Sequence, residues 1–331
     1  MYTICLGQFG NDQSITKTGT TVAQFLKIGM DARSTSMGGA VAGQNGNLSG
    51  VYWNPASIAS FNGIGVQFGS YDWLVAMKYQ FAIIGIDLGA KGVLGLSIVN
   101  LSSPDDLVRT VSEPQGTGEK FSTNDLSASL TYSKMLTDHF SLGGSFKYIQ
   151  QNIWHSTAHT VAIDIGTLFQ TPFYGTRLGA SISNYGGNMK MDGRDQKISI
   201  DPDLDNQGNV EFVNAIYETE HFPLPLFFRV GVSGELIKKQ NLKLSYGIDA
   251  LHPNDNTEHL NLGLELNYRE ILFLRGGIPS FYKMDSIEGP TFGAGLNYHM
   301  TRTATLLKID YSFSSYGPLG DVERLSIGFN F

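Results

Sequence analysis

The sequence predicts an all-β protein: a transmembrane antiparallel β-barrel of about 14 strands with an N-terminal plug (hatch) segment inside the lumen. Three observations predict it. After Gly63, apolar residues fall on every second position over most of the chain; the charged fraction is 16%, against roughly 25% in soluble domains; and the connections between period-two segments alternate between short and long. Period two marks a strand with one apolar face. A low charged fraction with mean hydropathy near zero implies that something other than water solvates much of the surface.

Composition narrows the classes. The 331 residues are 41% apolar with a net charge of -7 and 39 glycines. No run of about 18 apolar residues follows the first few positions, which excludes a helical span. A closed barrel remains open, because alternation hides its lipid-facing band from a sliding average. The acidic balance and the lack of clustered Lys/Arg argue against a nucleic-acid partner. The single cysteine, Cys5, leaves a body without thiols, which suits an oxidising compartment. The opening MYTICLG reads as the tail of a secretory apolar region, so residues 1–18 are taken as a signal-peptide remnant and N-terminal tail. A lipid anchor at Cys5 is the alternative, but Tyr2-Thr3-Ile4 stands where Leu and small residues are usual.

Residues 19–61 are the expected plug. Phe25, Leu26, Met37, Tyr52, Trp53 and Ile58 make this stretch too apolar for a solvated linker, while Gly38-Gly39 and Asn54-Pro55 are turn chemistry that no long strand tolerates. Such a piece must be hidden, and a barrel interior would hide it.

Residues 62–331 are the expected barrel, with strands near Gly63–Tyr71, Val75–Leu88, Val93–Leu101, Thr123–Met135, Phe140–Asn152, Ala158–Thr171, Thr176–Asn184, Leu226–Lys238, Leu242–Leu251, Glu258–Tyr268, Ile271–Ile278, Pro290–Tyr298, Thr303–Phe313 and Val322–Phe331. Leu260, Leu262, Leu264 and Leu266 alternate with Asn261, Gly263, Glu265 and Asn267. In a barrel the leucines meet lipid, and Lys243, Asp249, Glu265, Arg269, Lys308 and Asp310 face the lumen, where opposite charges pair. Glycine and serine at many of the gap positions, Gly85 and Gly143 among them, indicate a crowded lumen. The last strand leaves Phe329 and Phe331 on its apolar side and looks like the insertion signal of outer-membrane barrels.

Alternate connections such as Gly89–Gly92 and Lys239–Asn241 are short, while Ser102–Ser122 and Tyr185–Pro225 are long, the pattern of periplasmic turns and extracellular loops. An even strand count then puts the N- and C-termini in the periplasm of a bacterial outer membrane. Tyr71, Trp73, Trp154, Tyr268, Tyr298 and Tyr311, near strand ends, fit interfacial girdles.

On Phe25 to Gly29 (FLKIG), Ala32-Arg33, Met37 to Ala40 (MGGA) and Tyr52 to Ala56 (YWNPA), the chain resembles the PorV/PorQ group within the FadL-like outer-membrane barrels. The resemblance is specific over residues 19–60. It implies a hatch inside a 14-stranded barrel and one of two roles. PorV-like proteins serve type IX secretion, binding the translocon and the C-terminal domains of secreted cargo; FadL-like proteins pass hydrophobic small molecules through a lumen gated by the hatch. Ser34-Thr35-Ser36 and Gly43 to Gly46 are more polar than the family pattern. The first role is the main expectation, because a lumen of Gly, Ser, Asn and charges lacks an apolar path; the channel, with lipid or detergent in the lumen, is the alternative.

Site expectations follow. Phe25, Leu26, Arg33, Met37, Gly38, Gly39, Trp53, Asn54 and Pro55 would build the plug, Arg33 by pairing a lumenal carboxylate and Asn54-Pro55 by fixing a turn. Asp105, Arg109, Arg194, Phe212, Tyr217 and Phe222, in the two long loops, mix charge with exposed apolar groups and would contact a partner protein. Asp201 to Phe212 superficially matches a calcium loop, but Asn206 occupies the glycine position and Phe212 the closing glutamate, so a solvated acidic loop is the plainer reading. No histidine pairing, G-x-S-x-G, P-loop or Cys/His pair suggests catalysis or a cofactor. An outer-membrane phospholipase-type site is the one enzymatic rival.

Overall fold

The structure, a computed structural model, describes residues 17–331 apart from 174, 203–211, 284–285 and 301–304. Fourteen strands build the wall: β1 Ile64–Asp72, β2 Lys78–Asp87, β3 Val93–Ser102, β4 Thr123–Thr137, β5 Phe140–Ile153, β6 Ser156–Gln170, β7 Arg177–Gly186, β8 Phe227–Lys239, β9 Leu242–Pro253, β10 His259–Tyr268, β11 Leu272–Phe281, β12 Thr291–Met300, β13 Thr305–Ser315 and β14 Asp321–Asn330. Each pairs antiparallel with its neighbours, and β14 returns to β1 with Phe329 opposite Val66 and Ile327 opposite Phe68. The sheet therefore closes and leaves no edge.

Every expected segment is a strand, with bounds shifted by a few residues. The start of β2 moves from Val75 to Lys78 because Val75 and Ala76 both sit at φ 57°, a turn conformation that strand pairing excludes. The expected inversion of faces holds. Along β10, Leu264 is 50% exposed while Asn261, Gly263 and Glu265 are buried. Phe329 and Phe331 likewise share the outward side of β14, away from buried Arg324 and Ser326. Arg269 does not face the lumen: it lies exposed in the β10–β11 turn at φ 55°, against the Tyr268 ring.

One end of the barrel carries the tight turns, among them the β2–β3, β4–β5 and β8–β9 connections, together with the end of β14. The other carries the two long loops together with the two-residue β5–β6 turn at Trp154-His155. Each long loop has a small hairpin that alternation alone does not reveal, Asp106–Leu107 with Lys120–Phe121, and Lys197–Ile200 with Val213–Ile216.

Residues 17–61 run inside the ring of strands. Helices α1 (Ala32–Ser36) and α2 (Gly50–Trp53) and the 3₁₀ turns Gln24–Lys27 and Pro55–Ser60 are their only regular pieces. The Asp31 carboxylate caps α1 through the Ser34 amide at 3.0 Å, and Asn54 accepts from Ala56 N at 3.0 Å with Pro55 at the first helical position. Gly38 and Gly39, at φ 64° and 73°, end α1 in a conformation that side chains resist. The main core forms between this segment and the wall, where Phe25, Ile58, Tyr79 and Ile149 are buried.

Near the start of the described residues, at the loop end, Val22 N bonds Pro223 O at 3.0 Å, and β14 finishes at the turn end. The inner segment traverses the lumen, so strand parity fixes only the ends of the barrel. Cys5 and the presumed secretory remnant lie outside the described residues, as do positions 203–211 of the calcium-like loop.

Candidate functional site

The inner segment is fastened to the wall by backbone approach and by charge. A methyl on Gly247 would overlap the Ala40 carbonyl, and one on Gly263 would overlap the Met37 carbonyl. Gly85 and Gly143 make the same room for Leu48 and Pro55. Asp249 accepts from Val41 N and Ala42 N, both at 2.9 Å. Asn54 Nδ2 donates to Ala42 O at 2.8 Å and to Thr167 O on β6 at 3.0 Å. Its expected role as a turn lock is therefore extended: one amide ties its own turn to the wall.

Arg33 pairs a lumenal carboxylate as expected. Its Nε and Nη2 donate to Glu265 at 3.1 and 3.2 Å, Arg275 Nε donates to the same carboxylate at 2.7 Å, and Arg275 Nη1 reaches Asp310 at 2.6 Å. These buried charges share one network in which each acid has a guanidinium partner.

At the loop end the inner segment leaves a partly open vestibule of about 630 Å³. Phe25, Leu26, Tyr52 and Trp53 line it from the inner segment, Leu101 and Leu251 from the wall, and Trp73 and Leu74 from the β1–β2 connection. Trp53 packs edge-on against Tyr52 at 5.0 Å and under the Arg229 guanidinium at 5.0 Å; Arg229 Nη1 also donates to Trp53 O at 2.9 Å. Arg324 lies over the Tyr71 ring at 4.9 Å and the Trp73 ring at 5.3 Å.

Two sequence readings change here. Tyr71 and Trp73 are not girdle residues: they turn inward onto buried Arg324, whereas Tyr268, Tyr298 and Tyr311 are exposed on the outer face. The lumen also has a vestibule in which aromatic and aliphatic side chains meet Asp125, Lys147, Arg229, Glu288 and Arg324. Most of its aromatics come from the inner segment and from connections, which the inward positions of the strands do not report.

Lys27 closes the rim. Its Nζ reaches buried Asp255, in the β9–β10 loop, at 2.5 Å, and Thr21 and Gln24 donate to the same oxygen. Burial pushes the Asp255 carboxyl up, but the hydrogen bonds from Lys27 and Thr21 and the Lys27 charge outweigh it and hold the group below the ordinary carboxylate range.

The expected partner-binding residues are spread over separate loops. Asp105 pairs loosely with Lys120 at 3.8 Å, Arg109 with Asp106 at 3.1 Å, and Arg194 with the His155 ring at 2.9 Å. Phe212 and Tyr217 are 67% and 62% exposed near the second hairpin, while Phe222 is tied by its backbone to Met189. No group of metal-ligating side chains occurs among the described residues.

No family model and no curated protein matches the sequence. Solved structures do match. The toluene transporter TodX of Pseudomonas putida is 12% identical over 91% of this chain and 98% of its own, with a TM-score of 0.56. The toluene transporter TbuX of Ralstonia pickettii is 12% identical over 91% and 97%, at 0.55. A Pseudomonas aeruginosa FadL homologue is 10% identical over 91% and 98%, at 0.52. The fold is that of the FadL-like outer-membrane barrels. At such identity the likeness carries fold alone, and the narrower PorV/PorQ resemblance rests on the N-terminal motifs.

Proposed function

We propose that this protein is an outer-membrane channel for hydrophobic small molecules, with the loop end outside, the turn end in the periplasm, and residues 19–61 acting as the plug. The vestibule carries the reading. At about 630 Å³ it is of a size that buries a drug-sized or smaller ligand, and the inner segment contributes Phe25, Leu26, Tyr52 and Trp53 to its lining. A ligand seated there touches Trp53 and Phe25, so its binding energy acts on the element that blocks the way inward. The toluene transporters with this fold make monoaromatic compounds the first to try. The test is uptake of toluene by cells expressing the protein, compared with Trp53→Ala and with an empty vector. Uptake of at least several-fold over the empty vector, lost in the variant, supports the channel; uptake equal to the empty vector overturns it.

A second reading draws on the hairpin in Tyr185–Pro225, where Phe212, Ile216 and Tyr217 are exposed together. It assigns this loop to contact with a type IX translocon or cargo domain. Recovery of such a partner with the wild type, and its loss in Phe212→Ser/Tyr217→Ser, would favour it over the channel.

A further inference from the structure

The turn-end half of the lumen holds a second chamber, of about 170 Å³, on the far side of α1 from the vestibule. It is roomy enough for on the order of five waters and too small for an alkyl chain or ring system of ligand size. Its lining is cationic and amide-rich. Arg33 enters from the inner segment; Arg275, Lys308, Gln67 and Asn297 come from four different strands. Arg33, Arg275 and Lys308 face this space with Asp310 and the adjoining Glu265, and Asp31 at the start of α1 is a third carboxylate near Arg33. Glu265 is committed to Arg33 and Arg275, and Asp310 to Arg275. The Asp31 carboxylate accepts from the Ser34 amide and the Trp53 indole.

Of the three cations, Lys308 is the one without a carboxylate contact among the described residues. Among the described residues it has no carboxylate within 4 Å, and its Nζ reaches only the Asn330 amide oxygen, at 3.2 Å. Beside it Gln67 is only 7% exposed, yet its amide has no hydrogen-bond partner among the described residues and lines the chamber. Gly328 keeps that space open: it stands in register between Gln67 and Lys308, and a methyl there would meet Gln67 Cγ and Lys308 Cβ at 3.7 Å.

We propose that this chamber binds one small oxyanion of the phosphate or sulfate type. The anion accepts from Lys308 Nζ, from the Gln67 and Asn297 amides and from the Arg33 nitrogen not used by Glu265. Because Arg33 belongs to the inner segment and the other donors to the wall, a bound anion fastens one to the other, and by linkage any event that draws the segment away weakens the anion site.

The full chain in neutral detergent, exchanged into chloride, is titrated with inorganic sulfate and with inorganic phosphate at constant ionic strength. The readouts are isothermal calorimetry and the thermal unfolding midpoint. One saturable site per chain is expected, with a midpoint that rises with occupancy. Lys308→Met is expected to weaken binding at least tenfold, and Gly328→Leu, which fills the chamber, to abolish it. No saturable signal beyond the chloride control, or equal affinity in wild type and in whichever of Lys308→Met and Asn297→Leu folds, overturns the proposal. The detergent is the same in every arm and only the anion varies, so the outcome is separate from that of the channel reading.

Discussion

Arg33 and Glu265 meet side-on, with two nitrogens of the guanidinium on two oxygens of the carboxylate at 3.1 and 3.2 Å, across the boundary between the inner segment and the wall. The pair is mostly buried, and Glu265 is also the acid that Arg275 faces. Removing its charge leaves the Arg33 guanidinium without a carboxylate partner in a low-dielectric lumen, while Arg275 keeps Asp310. Breaking such a pair typically costs about 3–5 kcal/mol. Glu265→Gln is therefore expected to lower stability by that order and to loosen the segment, seen as a higher single-channel conductance in planar bilayers. Unchanged conductance together with unchanged stability would remove the pair from the account of the seal.

Gly247 tests the backbone contact without touching charge. Alanine there overlaps the Ala40 carbonyl, and backbone on a closed wall yields little. Overpacking of this kind costs about 1–3 kcal/mol. Gly247→Ala is expected to show that loss in urea unfolding and faster amide exchange over residues 37–43. Gly276→Ala, with ordinary clearance to Phe292, is the control and is expected to be neutral.

Much of this arrangement is written in the strands and little of it in the connections. Along β10 the alternation of Leu262 and Leu264 with Asn261 and Glu265 specifies both strand and facing, because each side chain in a closed barrel has only lipid or lumen to meet. Glycines in the gap positions signal crowding before any partner is visible. Which glycine receives which carbonyl is a matter of three-dimensional approach, and no local rule pairs Gly247 with Ala40. The vestibule stays hidden for the same reason: Trp53 and Trp73 come from segments without periodicity, so the packing of Trp53 under Arg229 and of Trp73 under Arg324 has no trace in the pattern. The exposed hairpin of the second long loop is four residues a side, too short for alternation to stand out.

Asp255 makes the rim of the vestibule pH-dependent. Its folded pKa lies below the unfolded value of about 3.9, so its contribution is fully present above that value and is lost as the pH falls through the folded one. The Lys27 contact should therefore hold from neutral pH to about pH 4 and release below it. Amide exchange over residues 21–27 is the measurement, with Asp255→Asn expected to show fast exchange already at pH 7. Equal protection in the variant and the wild type at pH 7 would detach the rim from this carboxylate.

Leu264 carries the heaviest physical claim, that half-exposed leucines on the outer face meet acyl chains. It lies mid-strand, opposite Tyr246 on β9 and Gly276 on β11, and is 50% exposed. In a bilayer an arginine at such a depth costs about 2–4 kcal/mol, falling toward zero near the interfaces. In water the same change on an exposed strand position is usually within about 0.5 kcal/mol. Leu264→Arg is therefore expected to lower the stability of protein folded into vesicles by the larger amount, while Tyr268→Arg, near the turn end of the same strand, loses much less. Equal, small losses at both sites would mean that this face is solvated by water, and the membrane assignment would fall with it.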